Sequence, residues 1–295
     1  MADVSSSQPA CLRNRHFDWP DRLATVLVWL VAIVVVATFG WIVGDLVRHG
    51  VPHLSPGFLF EPPRDAGRAG GIGPILVSTG LILGVCLAVS VPIGVATAML
   101  LAEFTRRGGA FGLLIRRSLD VLAGVPSIVF GLFGNALFVI YLGMGFSILA
   151  GGLTLACMVL PILIRSTEEG FRAVPDDYRK AAAALGLTRS AALWQILLPA
   201  ATPGLIVGLV LGIGRALAET AALLFTSGYV DRMPGSVLDS GRALSIHIYD
   251  LAMNVPGGDG NAYASALVLI VLLLAINGLT FWIADRWLGR RITPQ

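Results

Sequence analysis

The sequence predicts an all-α, polytopic membrane protein with six transmembrane helices, and three observations lead there. Apolar residues fill 56% of the 295 positions and charged residues only 13%, well below the charged quarter of a typical soluble domain. Several charge-free runs are long enough to cross roughly 30 Å of hydrocarbon at 1.5 Å per residue. Arginines gather at the ends of those runs.

Composition also removes some chemistry. Lys180 is the only lysine, and it stands between Arg179 and Ala181. A Walker A phosphate loop needs a lysine followed by Ser or Thr, so this chain is not its own P-loop ATPase. Cys11, Cys86 and Cys157 have neither metal-type nor disulfide-type spacing and read as inert small hydrophobes. No cofactor, metal site or nucleic-acid surface is indicated, and membrane lipid is the expected surroundings.

Residues 1–22 are a polar tail containing Arg13, Arg15, His16 and Arg22. Residues 23–44 follow as the first transmembrane helix. They read as an anchor, because the apolar core is too long for a signal peptide and no small-x-small cleavage site stands out. Residues 45–72 hold Pro52, Pro56, Pro62 and Pro63 with several glycines, which predicts an extracytoplasmic loop with little regular helix.

The transmembrane core spans 73–286. Its first run ends at Ala102, with a kink expected at Pro92. Glu103, Arg106, Arg107, Arg116 and Arg117 then read as a charged cytoplasmic hinge. Residues 121–164 carry no charge, which is enough for two spans joined at the glycine-rich 143–147 turn. Arg165, Glu168, Glu169 and Arg172 mark the return to the cytoplasm. A polar loop at 175–199, a span over 204–225, an outer loop over 227–261 and a last span over 262–284 complete the core. Residues 287–295 form a C-terminal tail with Arg290 and Arg291. The arginine bias places both termini in the cytoplasm. His49, His53 and His247 fall in or near the outer loops and read as solvated or interfacial.

The 175–199 loop has its own pattern. Asp176 and Asp177 after Pro175 suit a helix start, alanines 181–184 propagate it, and Gly186 is the expected left-handed stop. Thr188 can cap a second short helix carrying Leu193, Trp194, Ile196 and Leu197, which Pro199 should end. Two short helices joined at a glycine make a polar knob on the inner face.

The following span carries Gly204, Gly208, Gly212, Ala216 and Thr220 at every fourth position, a small-residue stripe that lets another helix approach closely. Arg215 lies about 17 Å along the helix from Gly204, near mid-bilayer. A charge there costs about 2.5–3.5 kcal/mol on insertion scales, so it should face protein or a wet cavity. Glu219 is one turn on and within pairing reach. A self-neutralising ion pair is one reading. The other is an arginine fork that contacts a tetrahedral oxyanion in transit, held and weakened by Glu219.

Ala181, Ala182, Gly186, Ile196, Leu198 and Pro199 reproduce the spacing of the EAA signature of ABC importer permeases, with Lys180 where that family usually has Glu. RALAETAALLFT at 215–226 resembles the RxxGETAPLLFT segment of the phosphate-specific Pst permeases, PstA branch, with Ala218 and Ala222 replacing its usual Gly and Pro. LAGVPSIVFGLFG at 122–134, AMLLAEF at 98–104, Tyr178 and the ALG at 184–186 agree with the same family.

The resemblance implies an ABC type I importer permease fold and transport of inorganic phosphate across the cytoplasmic membrane of a bacterium or archaeon. It implies a heterodimer with a second, PstC-like permease subunit, two copies of a PstB-like ATP-binding subunit and a PstS-like extracytoplasmic phosphate-binding protein. Arg215, Glu219 and Thr220 would line the substrate pathway, and no residue of this chain would be catalytic. Tyr178, Lys180, Ala181, Ala182, Gly186, Ile196, Leu198 and Pro199 would couple to the ATPase. The alternatives are an ABC permease for molybdate, sulfate or phosphonate, or a secondary anion transporter.

Overall fold

Apolar helix-forming runs dominate the architecture, and the computed structural model describes residues 19–105 and 109–292. The expected features of the N-terminal tail up to residue 18, of Arg106 and Arg107, and of residues 293–295 lie outside that range. The chain divides into two units, residues 1–45 and 46–295. The first holds most of helix α1 (Trp19–Gly50), whose apolar side chains from Val26 to Ile42 are exposed.

In the second unit, α2 (Pro56–Phe60) and a two-stranded antiparallel pair occupy the outer loop. The strands are β1 (Pro63–Arg64) and β2 (Ala69–Gly70), with Pro63 opposite Gly70 and Arg64 opposite Ala69. Helix α3 (Gly73–Met99) runs through Pro92 and ends in a π-helical turn at Leu100–Phe104. Next come α4 (Ala110–Ala123), α5 (Ser127–Gly134) with a π-helical extension to Tyr141, and α6 (Ile148–Ala173). The 175–199 segment contains α7 (Asp176–Ala184) and α8 (Arg189–Ala192), and a π turn at Leu193–Leu197 leads into α9 (Leu198–Leu217). Helices α10 (Ala221–Leu224), α11 (Leu244–Met253) and α12 (Asp259–Ile292) follow.

Among the described residues five helical segments are long and apolar enough to cross a membrane, and six if the pair α4 and Ser127–Tyr141, bent by 101°, counts as one span. The hinge expected around Arg116 is therefore a helix. Its residues Ile115 and Leu119 pack on Ala98, Leu101 and Ile164. The turn at 143–147 forms where expected, with Gly143 and Gly145 at φ +67° and +64°.

The core sits where α3, α6 and α9 meet. Ile82, Cys86, Leu155, Val159, Ile213 and Leu217 are buried together there. The glycine stripe supplies the close approach: a Cβ at Gly204 would stand 2.6 Å from the Ser166 carbonyl oxygen, and one at Gly212 2.7 Å from Val159 Cγ1. The stripe thus packs α9 on α6 within this chain, although Thr220 lies beyond the helix. The second outer loop also departs from expectation, because it contains the ten-residue helix α11.

Candidate functional site

The inner-face knob follows from local sequence. Asp176 and Asp177 sit in the first turn of α7, where carboxylates face the positive end of the helix dipole. At the other end, Gly186 adopts φ +69°. Its N–H donates to the Ala183 carbonyl at 3.0 Å, and Leu187 N–H donates to the Ala182 carbonyl at 3.1 Å, the paired bonds of a Schellman stop. Thr188 caps α8 by accepting from Ala191 N–H at 3.3 Å.

Pro199 does not end the second helix. The π turn before it lets Leu198 N–H reach the Leu193 carbonyl. This looser spacing takes up the missing donor and ring clash of the proline. Arg189–Leu217 is therefore one continuous helical segment.

The residues named from sequence separate by exposure. Ala182 is buried beneath α7, whereas Ala181, Lys180, Gly186 and Tyr178 are exposed; Ile196, Leu198 and Pro199 are half-buried. Lys180 Nζ pairs with Asp177 Oδ1 at 3.0 Å, both in solvent. Tyr178, Ile196 and Pro199 line a cleft of about 840 Å³ together with Glu169, Gly170 and Gln195.

Two ion-pair groups lie near the knob end of the helices. Glu168 is 3% exposed, and its Oε1 accepts from Arg116 Nε at 2.8 Å and Arg172 Nε at 3.1 Å. Arg165 pairs with Asp120 and donates to the Arg116 carbonyl. Separately, Arg179 reaches Glu103 Oε1 through Nη2 at 2.6 Å and both Glu103 oxygens through Nε at 3.2 Å. It also donates to the carbonyls of Val174 and Phe171 at 2.9 and 3.0 Å. The sequence offered these residues only as charges marking the ends of spans. An acidic residue among arginines at such an end was the available signal.

The charged span is shorter than expected. Helix α9 stops at Leu217, and a break at residues 218–220 separates it from α10. Arg215 lies in the last turn, exposed, and among the described residues its guanidinium has no hydrogen bond or ion pair. The expected partner has another engagement. Glu219 lies past the helix end, where helical one-turn spacing no longer holds. Its Oε1 accepts from Ala222 N–H at 3.3 Å, and its carbonyl accepts from Ser245 Oγ at 2.6 Å. Thr220 takes the N-cap position of α10 without a side-chain bond. Asn135 Nδ2 donates to the Phe225 carbonyl at 2.7 Å, fixing the far end of α10 to α5. Ser245 and Asn135 had no sequence signal, since each serves a carbonyl remote in the chain.

In α11, His247 is buried, contrary to the solvated or interfacial reading. It packs beneath Gly67, where an added Cβ would stand 2.9 Å from the imidazole Cε1, and beside Leu251. Burial first, and nearby Arg242 second, push its pKa down to about 4 against the opposing charges of Asp250 and Asp231. His49 and His53 are exposed, as expected.

Long apolar helices around a small-residue seam, with a polar helical knob beyond one end and an exposed arginine at a helix break, have the make-up of a helical membrane protein. Residues 90–293 match the family described as binding-protein-dependent transport system inner membrane component, and the chain belongs to that family. It is 31% identical over 92% of its length to the probable ABC transporter permease protein YqgI of Bacillus subtilis, covering 96% of that protein. It is 33% identical to phosphate transport system permease protein PstA 2 of Mycobacterium bovis, over 94% of this chain and 93% of the relative. Against PstA of Haemophilus influenzae the identity is 31%, over 91% and 96%. Among solved structures, the fold resembles a chain of a bacterial alginate ABC transporter in complex with an alginate pentasaccharide-bound periplasmic protein. The TM-score there is 0.60 at 16% identity, covering 88% of this chain and 94% of that one. A chain of the inward-facing MetNI methionine ABC transporter gives a TM-score of 0.52 at 18% identity, over 76% and 95%.

Proposed function

We propose that this chain is the permease subunit through which an ATP-driven importer moves inorganic phosphate into the cell. The observation that carries the reading is Arg215, an exposed guanidinium without a partner among the described residues, at the end of an apolar span. A planar fork of donors suits a tetrahedral oxyanion. The PstA relatives support phosphate as that oxyanion. Glu219 and Thr220, at the break beyond Arg215, complete the pathway. A single such contact in a wet passage holds the anion briefly, as transport requires.

ATP hydrolysis belongs to a separate subunit, present in two copies. It docks on the knob through Tyr178, Lys180, Ala181 and Gly186 on the exposed side, with Ala182, Ile196, Leu198 and Pro199 shaping the surface from beneath. A second permease chain faces this one, and an extracytoplasmic phosphate-binding protein delivers substrate to the outer loops. Both termini lie in the cytoplasm, with arginines concentrated on the inner side of the inner membrane.

Phosphate uptake by Arg215→Ala tests the pathway. At normal membrane abundance it should fall at least tenfold, with Arg215→Lys recovering part. Full uptake by the alanine variant rejects the reading. For the docking surface, Gly186→Trp should detach the ATP-binding subunit or uncouple hydrolysis; coupled transport with normal co-purification counts against it.

A further inference from the structure

The knob touches more than its own helix. Beyond Met99, which packs with Phe171, Leu193 and Leu197, the last turn of α3 becomes π-helical and carries Glu103 toward α7. There Arg179 grips the Glu103 carboxylate at 2.6–3.2 Å, and the same guanidinium donates to the Phe171 and Val174 carbonyls at the end of α6. One side chain thus ties the knob to the inner ends of two spans.

The surroundings of this pair are open. Arg179 borders two cavities, of about 260 and 340 Å³; Ala102 and Thr105 line the first, Glu103, Phe104, Ala182 and Leu193 the second. Among the described residues the pair lies between these two cavities, beside the apolar cluster of Met99, Phe171 and Leu193. Its strength is that of a charge-assisted, two-pronged contact. The Glu103 hydrogen bond raises the Arg179 pKa against the opposing effect of burial. A π turn at the end of α3 matches the usual siting of such turns at functional positions. Lys180, the next residue, forms only an exposed local pair with Asp177, so it braces nothing beyond α7.

We propose that the Arg179–Glu103 pair is a strut that carries movement of the knob into the inner end of α3, making both of them positioning residues for transport. The strut rests on the reading of an ATP-driven importer. In it, α9 moves with the knob because the chain is continuous, and the end of α3 follows because this pair adds a charged tie to the packing of Met99 on Leu193 and Leu197. Neither residue contacts the transported anion.

The test uses the complete transporter, with its second permease, ATP-binding subunits and binding protein, reconstituted in liposomes and read as phosphate imported per ATP hydrolysed. Glu103→Gln leaves Arg179 on its two backbone carbonyls and on Asp176 at 3.3 Å, within its own helix, and removes only the charge-assisted grip on α3. It should retain the ATP-binding subunit and hydrolysis while importing at least fivefold less phosphate per ATP. Glu103→Asp, which keeps the carboxylate, should retain a larger share of the wild-type ratio than Glu103→Gln. A wild-type ratio in Glu103→Gln overturns the strut. So does a parallel fall of uptake and hydrolysis at constant ratio, which is the mark of a merely structural pair. If Glu103→Gln does not accumulate in the membrane, Arg179→Lys, which keeps the charge and loses the fork, is read in the same way; a wild-type ratio there also overturns the strut. A wild-type complex that hydrolyses no ATP in response to loaded binding protein refutes the importer reading and the strut with it.

Discussion

Ser245 Oγ donates to the carbonyl oxygen of Glu219 at 2.6 Å, joining the outer helix α11 to the break that follows Arg215. The serine is 7% exposed, so water cannot readily replace it. In Ser245→Ala the Glu219 carbonyl loses this donor, at a cost of about 1–2 kcal/mol. The expected outcome is a lower melting temperature in detergent together with reduced phosphate uptake, and Ser245→Thr should restore both.

Glu168, buried, pairs with both Arg116 and Arg172, which leaves the cluster one positive charge in excess. Removing one member of a buried ion cluster strands the other charge, so Glu168→Gln should lose about 3–5 kcal/mol. Thermal unfolding measures this. Glu168→Gln combined with Arg116→Met should recover part of the loss, because the stranded guanidinium is then gone.

The helix seam gives a paired comparison. A side chain at Gly204 collides with the Gly170 backbone and the Ser166 carbonyl, whereas one at Gly214 meets nothing within 4 Å. Gly204→Val should therefore destabilise by at least about 1–3 kcal/mol through overpacking. Gly214→Ala should be neutral or raise stability by up to about 1 kcal/mol. Melting of the two variants side by side checks the difference.

His247 predicts a pH response. Burial, with Arg242, holds its folded pKa at about 4, against an ordinary value of 6.5. Between those values the unfolded chain takes up a proton that the folded chain refuses. Stability is therefore full above about pH 6.5, declines as pH falls, and by pH 4 has lost on the order of 2–3 kcal/mol through this group. Melting temperature followed from pH 7.5 to 4.5 should show the decline, and His247→Gln should flatten it.

The spans were legible because lipid demands long uncharged runs, and the knob because Asp176, Gly186 and Thr188 are local signals whose bonds form within a few residues. The end of α9 was hidden. Apolar residues resume at 221–225 directly after the three-residue break, so the run reads as one span although the helix stops at Leu217. Helix α11 was masked by the glycines and prolines that flank it. The partners of Arg179 and Arg116 are 76 and 52 residues away in sequence, a pairing that only the packing of α3, α4 and α6 brings about. His247 was misjudged for a related reason: its burial depends on Gly67, brought over it from the first outer loop.

The continuity of the helical segment from Arg189 to Leu217 has a mechanical consequence. Its 29 residues make a rod of about 43 Å. A tilt of only about 5° about the inner end would sweep the far end sideways by about 4 Å, more than the length of a hydrogen bond. Small rotations beneath the lipid are thereby magnified at the guanidinium, with no separate hinge required between them.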